Sequence, residues 1–223
     1  MAALLAVMVM LAGCGATGSS EADSSADISG TGDATVADSA ADSSASTGGS
    51  TAPQTGADNA HPQVEITMAD GGVIVLELDR EAAPVTVDNF IALVNSGFYD
   101  GLVFHRIIDG FMIQGGAFDA SGAQHPASTI TGEFAANGWE NPIKHAPGVV
   151  SMARSNDNNS ASSQFFICDN DSNVAYLDGN YAAFGYVVEG MDVVERISQL
   201  PTDANDYPQD PAAATITSIR IVQ

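Results

Sequence analysis

Basic residues are scarce in this chain. Its 223 residues include 6 Lys and Arg against 28 Asp and Glu, a formal charge of −22. A polyanion gains nothing by displacing counterions from phosphate, so nucleic acid is not an expected partner. An anionic membrane surface does not attract such a chain either. Cysteine is almost missing, with only Cys14 and Cys168 present. The histidines, His61, His105, His125 and His145, have no HxxxH or HxH spacing, so no metal is expected. Gly115-Gly116 lacks the pattern of a nucleotide loop and reads as a tight turn. The apolar run Ala2–Ala12 has 11 residues, too few to cross a bilayer as a mature helix.

That run fits the apolar region of a secretory signal, although no Lys or Arg precedes it. "LAGC", Leu11 to Cys14, resembles the lipobox of bacterial lipoproteins. The resemblance implies a signal over 1–13, with Cys14 as a lipid-bearing mature N-terminus. Residues 14–60 are mostly Ser, Ala, Gly, Thr and Asp, with Ile28 and Val36 the only large aliphatics. Such a segment cannot bury enough apolar area to offset its ordering entropy. It reads as a disordered linker with a reach of about 37 Å. Together these features predict an extracytoplasmic protein anchored to a bacterial cell membrane through Cys14. Two acyl chains are about what stable anchoring requires. If Cys14 carries lipid, Cys168 has no disulfide partner, and its place in "SQFFIC" makes it a small core residue.

From His61 to Gln223 the texture is that of a folded domain. Val64–Met68 and Val73–Leu78 are β-branched runs separated by Asp70-Gly71-Gly72, which predicts a hairpin. Val87, Phe90, Ile91 and Val94 share one face of a predicted helix that stops at Gly97. Short strands are predicted at Val103–Ile107, Phe111–Gln114, Val149–Met152, Gln164–Cys168 and Ala183–Val188. "MDVVERISQLP" predicts a second helix, with Val193, Ile197 and Leu200 on one side and Pro201 as its limit. "TITSIRIV" closes the chain as a strand. Many short strands and two helices predict a mainly β barrel or sandwich.

"FHRIIDGFMIQGG", "GVVSMAR", "SSQFFI" and "LDGNYAAFGYVVEGMDVV" follow the hairpin in the order and spacing of the cyclophilins, which the chain resembles from about Val64 to Val222. That family comprises peptidyl-prolyl cis–trans isomerases. The resemblance implies a closed eight-stranded antiparallel barrel capped by two helices, with an active groove on its outer surface. It implies no cofactor and a monomer acting on proline-containing polypeptides, here exported ones.

By the same resemblance Arg106 is the catalytic donor. Phe111, Met112, Phe166 and Leu177 form the proline pocket. Gln114 steadies Arg106 and the substrate backbone, and Ala153 lies where the backbone binds peptide. Tyr176 and Tyr181 stand at wall positions where the family often carries Trp and His. Arg154 replaces a frequent Asn and adds positive charge beside the groove. The segment "DNDSNVAY" is longer than in many relatives. His105 reads as a hydrogen-bonded structural histidine. Two rivals remain at this level: a non-catalytic binding module or chaperone for proline-containing chains, and a surface-display module with a vestigial groove.

Overall fold

The computed structural model describes residues 59–169 and 174–223. The expected signal, Cys14 and the linker up to residue 58 lie outside the described residues, as do residues 170–173 of the lengthened segment. The end of the linker is tied to the domain. Arg80 donates its backbone N–H to the Ala60 carbonyl at 2.9 Å and Nη1 to the Asn59 carbonyl.

Eight strands form one antiparallel sheet: β1 (Gln63–Met68), β2 (Val73–Leu78), β3 (Leu102–Ile108), β4 (Met112–Asp119), β5 (Val149–Met152), β6 (Phe165–Cys168), β7 (Ala183–Glu189) and β8 (Ile216–Ile221). Their order is β3-β4-β6-β5-β7-β2-β1-β8. The two ends of that order meet at a bridge between Val103 and Thr215, and Gly101 N–H donates to the Ile216 carbonyl at 2.8 Å. The sheet is thus a nearly closed barrel, which leaves little free edge. The predicted strands are present with ends shifted by a few residues, β4 most of all.

Two textures of strand follow from where the apolar side chains go. β1 and β2 alternate between buried and half-buried residues, with Val64, Ile66, Ile74 and Leu76 inward. β5 and β6 are buried on both faces. Phe165 and Ile167 enter the barrel interior, while Phe166 and Cys168 join a second apolar cluster outside it. The period of two sends alternate residues through opposite faces of the wall. A strand apolar at every position therefore needs an apolar layer on each side. Inside, Phe90 lies 5.1 Å from Tyr99 and 5.3 Å from both Phe165 and Phe184, centroid to centroid. Side chains fill the barrel interior.

Helix α1 (Pro84–Asn95) buries Val87, Phe90, Ile91 and Val94, the predicted face. Pro84 opens it, where its missing N–H costs nothing. Ala83 supplies no side-chain cap. Glu133, 2% exposed, does so from a distant loop. Its carboxylate accepts from Val85 N at 2.9 Å, Thr86 N at 2.8 Å and Thr86 Oγ1 at 2.7 Å. A carboxylate also suits the positive end of the helix dipole. Helix α2 (Met191–Ser198) buries Val193, Val194 and Ile197; Leu200 lies past its end and is half-buried.

His105 in β3 is held by the Val103 backbone and the Gln164 side chain, as expected of a structural histidine, but one ring nitrogen is left over. Its ring packs against Phe118 at 4.8 Å, yet Nδ1 is buried without a hydrogen-bond partner. Burial is the main cause holding its pKa down to about 4 from 6.5; the Val103 backbone and Gln164 side chain offset that only in part. Cys168 is fully buried and its thiol is pushed up to about 12, so it is an inert core residue.

Two outcomes are expected. Glu133→Ala leaves three donors of α1, two of them buried, without an acceptor and is expected to cost about 1–3 kcal/mol in urea unfolding at unchanged slope. A loss below about 0.5 kcal/mol, the range of ordinary surface changes, contradicts the capping role. The second concerns pH. Unfolded His105 takes a proton as pH falls through 6.5, whereas folded His105 resists until about 4. Stability present above pH 6.5 is therefore lost between 6.5 and 4. Asp70, held down by the Gly72 N–H, and Asp100, held down by Arg220, lose their share only below 3.8. His145, whose pKa burial also lowers, shares that window, so His105→Phe is expected to lessen rather than abolish the decline in thermal midpoint across it. An unchanged slope contradicts it.

Candidate active site

The site begins with a flaw in a ladder. Phe104 pairs with Gly115 and Arg106 with Gln114, so His105 has no opposite residue. This β-bulge inserts one residue and switches the side that later residues face. Phe104 points into the barrel; Arg106, two residues on, faces the outer cluster. Without the bulge both would share a face. Gly115 and Gly116 correct the expected tight turn, since both lie within β4. A Cβ on Gly115 would sit 3.0 Å from the Phe104 ring. Gly116 has φ +93°, and a Cβ there would sit 2.5 Å from the Ser163 carbonyl oxygen. The pair lets neighbouring groups approach the strand closely.

An open, shallow pocket lies on the outer wall. Met112 of β4, Phe166 of β6, Leu177 of a short 3-10 turn and Phe111 give it an apolar lining. Ala153, just after β5, and Tyr181 extend that lining. Gln114, Arg106 and Arg154 complete it. Nine of the ten peptide-site residues expected from the sequence thus meet in one place. Tyr176 does not line the pocket. It is 65% exposed and stacks on Phe111 at 6.1 Å.

A buried polar strut supports the floor. His145 stacks on Phe166 at 6.2 Å, with the planes 13° apart. Its Nδ1 lies 3.0 Å from Asp178 Oδ1 and its Nε2 3.0 Å from Ser151 Oγ. An ionised carboxylate only accepts, which makes Nδ1 the donor and Nε2 the acceptor of the Ser151 hydroxyl. Burial lowers the pKa of His145, with Asp178 opposing, which favours the neutral ring. The order Ser–His–Asp is that of a nucleophilic triad, but Ser151 is 0% exposed. The chain instead ties β5 to the turn that carries Leu177.

The two arginines are held differently. Arg154 lies between the rings of Phe134 and Tyr181, 4.9 and 5.0 Å from their centroids. It donates Nε to the Asn180 carbonyl at 2.8 Å and Nη1 to the Ser155 carbonyl at 2.9 Å. This clamps its charge at the rim. Arg106 donates Nε to Asp206 Oδ2 at 3.3 Å. Gln114 stands opposite it in the ladder, and its amide nitrogen donates to Gln164 Oε1 at 2.8 Å. Asp206 is 100 residues from Arg106 in the chain. No local pattern in "TDANDYPQD" marks it. The site therefore offers a fixed cation above an apolar floor, where electrostatic stabilisation needs no proton transfer.

Residues 63–221 match the family described as cyclophilin type peptidyl-prolyl cis-trans isomerase/CLD. Peptidyl-prolyl cis-trans isomerase A of Dickeya dadantii is 45% identical over 137 residues, covering 59% of this chain and 69% of that protein. Peptidyl-prolyl cis-trans isomerase B of Escherichia coli is 39% identical over 145 residues, covering 62% and 86%. A crystal structure of a cyclophilin type isomerase from Cryptosporidium parvum superposes with a TM-score of 0.61 at 28% identity, covering 73% of this chain and 98% of that one. The same protein in the presence of the dipeptide Ala-Pro gives a TM-score of 0.60 at 29% identity, covering 72% and 99%. With the family matched over nearly all of the folded part, the chain belongs to the cyclophilin-type peptidyl-prolyl cis–trans isomerases.

Proposed function

We propose that the pocket beside Arg106 catalyses rotation about X–Pro bonds in exported polypeptides, with the protein tethered to the membrane through Cys14. The observation that carries the site is Arg106 lining one apolar pocket together with Phe111, Met112, Phe166 and Leu177. Rotation breaks amide resonance over a barrier near 18–20 kcal/mol. Uncatalysed, it takes tens to hundreds of seconds. No bond to another group forms or breaks, so the protein has only to bind the twisted amide better than either planar form.

In that form the prolyl nitrogen becomes pyramidal and exposes a lone pair. The Arg106 guanidinium donates to the twisted amide, while the pocket floor holds the proline ring still. Arginine suits this role, being permanently charged and rich in donors. Gln114 and the Ala153 backbone bind the flanking peptide, and Arg154 and Tyr181 form the rim. Tyr176, exposed and stacked on Phe111, extends the apolar surface beyond the pocket for neighbouring residues of the client. A holdase without turnover would have no need of a fixed cation above the ring site.

The remainder of the proposal rests on sequence. In this proposal a signal over 1–13, a lipid on Cys14 and a linker up to 60 hold the isomerase outside the cytoplasm, where exported chains fold. "LAGC" and the Ser/Ala/Gly/Asp composition support that reading.

Arg106→Ala is expected to lower kcat/KM on an X–Pro peptide by about 10²–10³-fold, the usual loss for one preorganised donor, with an unchanged circular dichroism spectrum. Retention of more than about a third of wild-type activity, a barrier change under ~0.7 kcal/mol, rules out the role. For the full chain expressed in a lipoprotein-processing bacterium, Cys14→Ser is expected to move the protein from the membrane fraction to the soluble one. Unchanged retention contradicts lipid anchoring.

A further inference from the structure

We infer that Asp206 is a positioning residue for catalysis, acting through Arg106; this rests on the isomerase reading of the pocket. Among the described residues, Asp206 is the one non-glycine with positive φ, +64°. That conformation costs most L-residues, costs Asp and Asn less, and is free for glycine. The backbone of Asp206 has two tasks. Its N–H donates to the Asp203 carbonyl at 3.2 Å, and its carbonyl accepts from Ile107 N at 2.9 Å. Glycine performs both without strain. The side chain's hydrogen bond is the one to Arg106 Nε, so the carboxylate earns its place there or nowhere.

The loop around it is built to hold one position. The Asp203 carboxylate accepts from Asn205 N at 2.8 Å and Tyr207 N at 3.0 Å. Asp203 N donates to the Tyr207 carbonyl at 2.9 Å, and Thr202 bridges to Pro208. The loop is then pinned to β3 at Ile107, the residue after Arg106. A strained residue that its surroundings hold in place is a mark of a functional contact. Engaging Nε leaves the four Nη hydrogens of the fork for the substrate amide.

Two effects oppose each other here. The carboxylate partly neutralises the cation that the twisted amide needs. It also fixes the guanidinium plane. The side chains of Arg106 and Asp206 are 20% and 39% exposed. Water therefore screens the charge effect. Orientation is not screened, and a displacement of 1 Å at a reacting centre can cost about 10²-fold in rate. Positioning wins, and removing Asp206 slows the enzyme although it unmasks positive charge.

The test compares wild type, Asp206→Gly, Arg106→Ala and the double variant, with kcat, KM and thermal midpoint measured for each. Asp206→Gly is expected to fold with an equal or higher midpoint, because the strain is relieved. Its kcat is expected to fall on the order of tenfold at unchanged KM, short of the full misplacement penalty. In the Arg106→Ala background the same change is expected to alter kcat less than twofold, since nothing remains to position. Asp206→Gly within twofold of wild type, a gain in rate, or an equal loss in the Arg106→Ala background overturns the inference. So does a loss of activity accompanied by a fall in midpoint. An inactive wild type would instead remove the isomerase reading itself, whereas an active wild type indifferent to Asp206→Gly removes only the role of Asp206.

Discussion

One extra residue in β3 decides which side of the barrel wall the guanidinium faces. With regular pairing, Phe104 and Arg106 would point the same way. The bulge at His105 separates them, sending the ring into the packed interior and the cation to the outer surface. Everything at the site depends on that change of side. β4 and β6 then present Met112, Gln114 and Phe166 on the same outer face by plain alternation. The cost is visible in His105, whose Nδ1 is buried without a partner. A buried polar atom left in that state is destabilising. Its persistence at the bulge fits the tendency of strain to gather beside functional groups.

The pocket is supported from behind by groups that touch no substrate. The Asp178–His145–Ser151 chain joins the turn bearing Leu177 to β5 and lays an imidazole flat beneath Phe166. Tyr181 meets the same ring edge-on at 6.0 Å. A floor supported from both sides keeps one geometry, which catalysis by differential binding requires. The chain as a whole is strongly acidic, yet Arg106 and Arg154 stand at the pocket. A local cation in an acidic protein acts at contact range, since charges beyond a Debye length are screened.

Much of this was legible in the sequence, for identifiable reasons. α1 shows its buried face because Val87, Phe90, Ile91 and Val94 repeat at helical spacing. The first hairpin shows itself through Asp70-Gly71-Gly72. The pocket residues lie inside long motifs, so resemblance to a family located them together. What was hidden has a common physical character. The bulge leaves no mark, because "FHRII" alternates plausibly in either register. Gly115-Gly116 resembles a turn until the Phe104 ring and the Ser163 carbonyl are seen against it. Glu133 caps a helix 47 residues away, and Asp206 reaches Arg106 across 100. Contacts made through tertiary folding carry no local period, and sequence reading misses them for that reason.

The most direct measurement is a crystal structure of the protein with an X–Pro peptide at saturating concentration. The proline ring is expected against Phe111, Met112, Phe166 and Leu177, with an Arg106 Nη within hydrogen-bond distance, about 2.7–3.2 Å, of the prolyl amide, and with Asp206 still on Nε. A peptide bound elsewhere, or a proline ring in this pocket with Arg106 turned away from the amide, would contradict the assignment of this site.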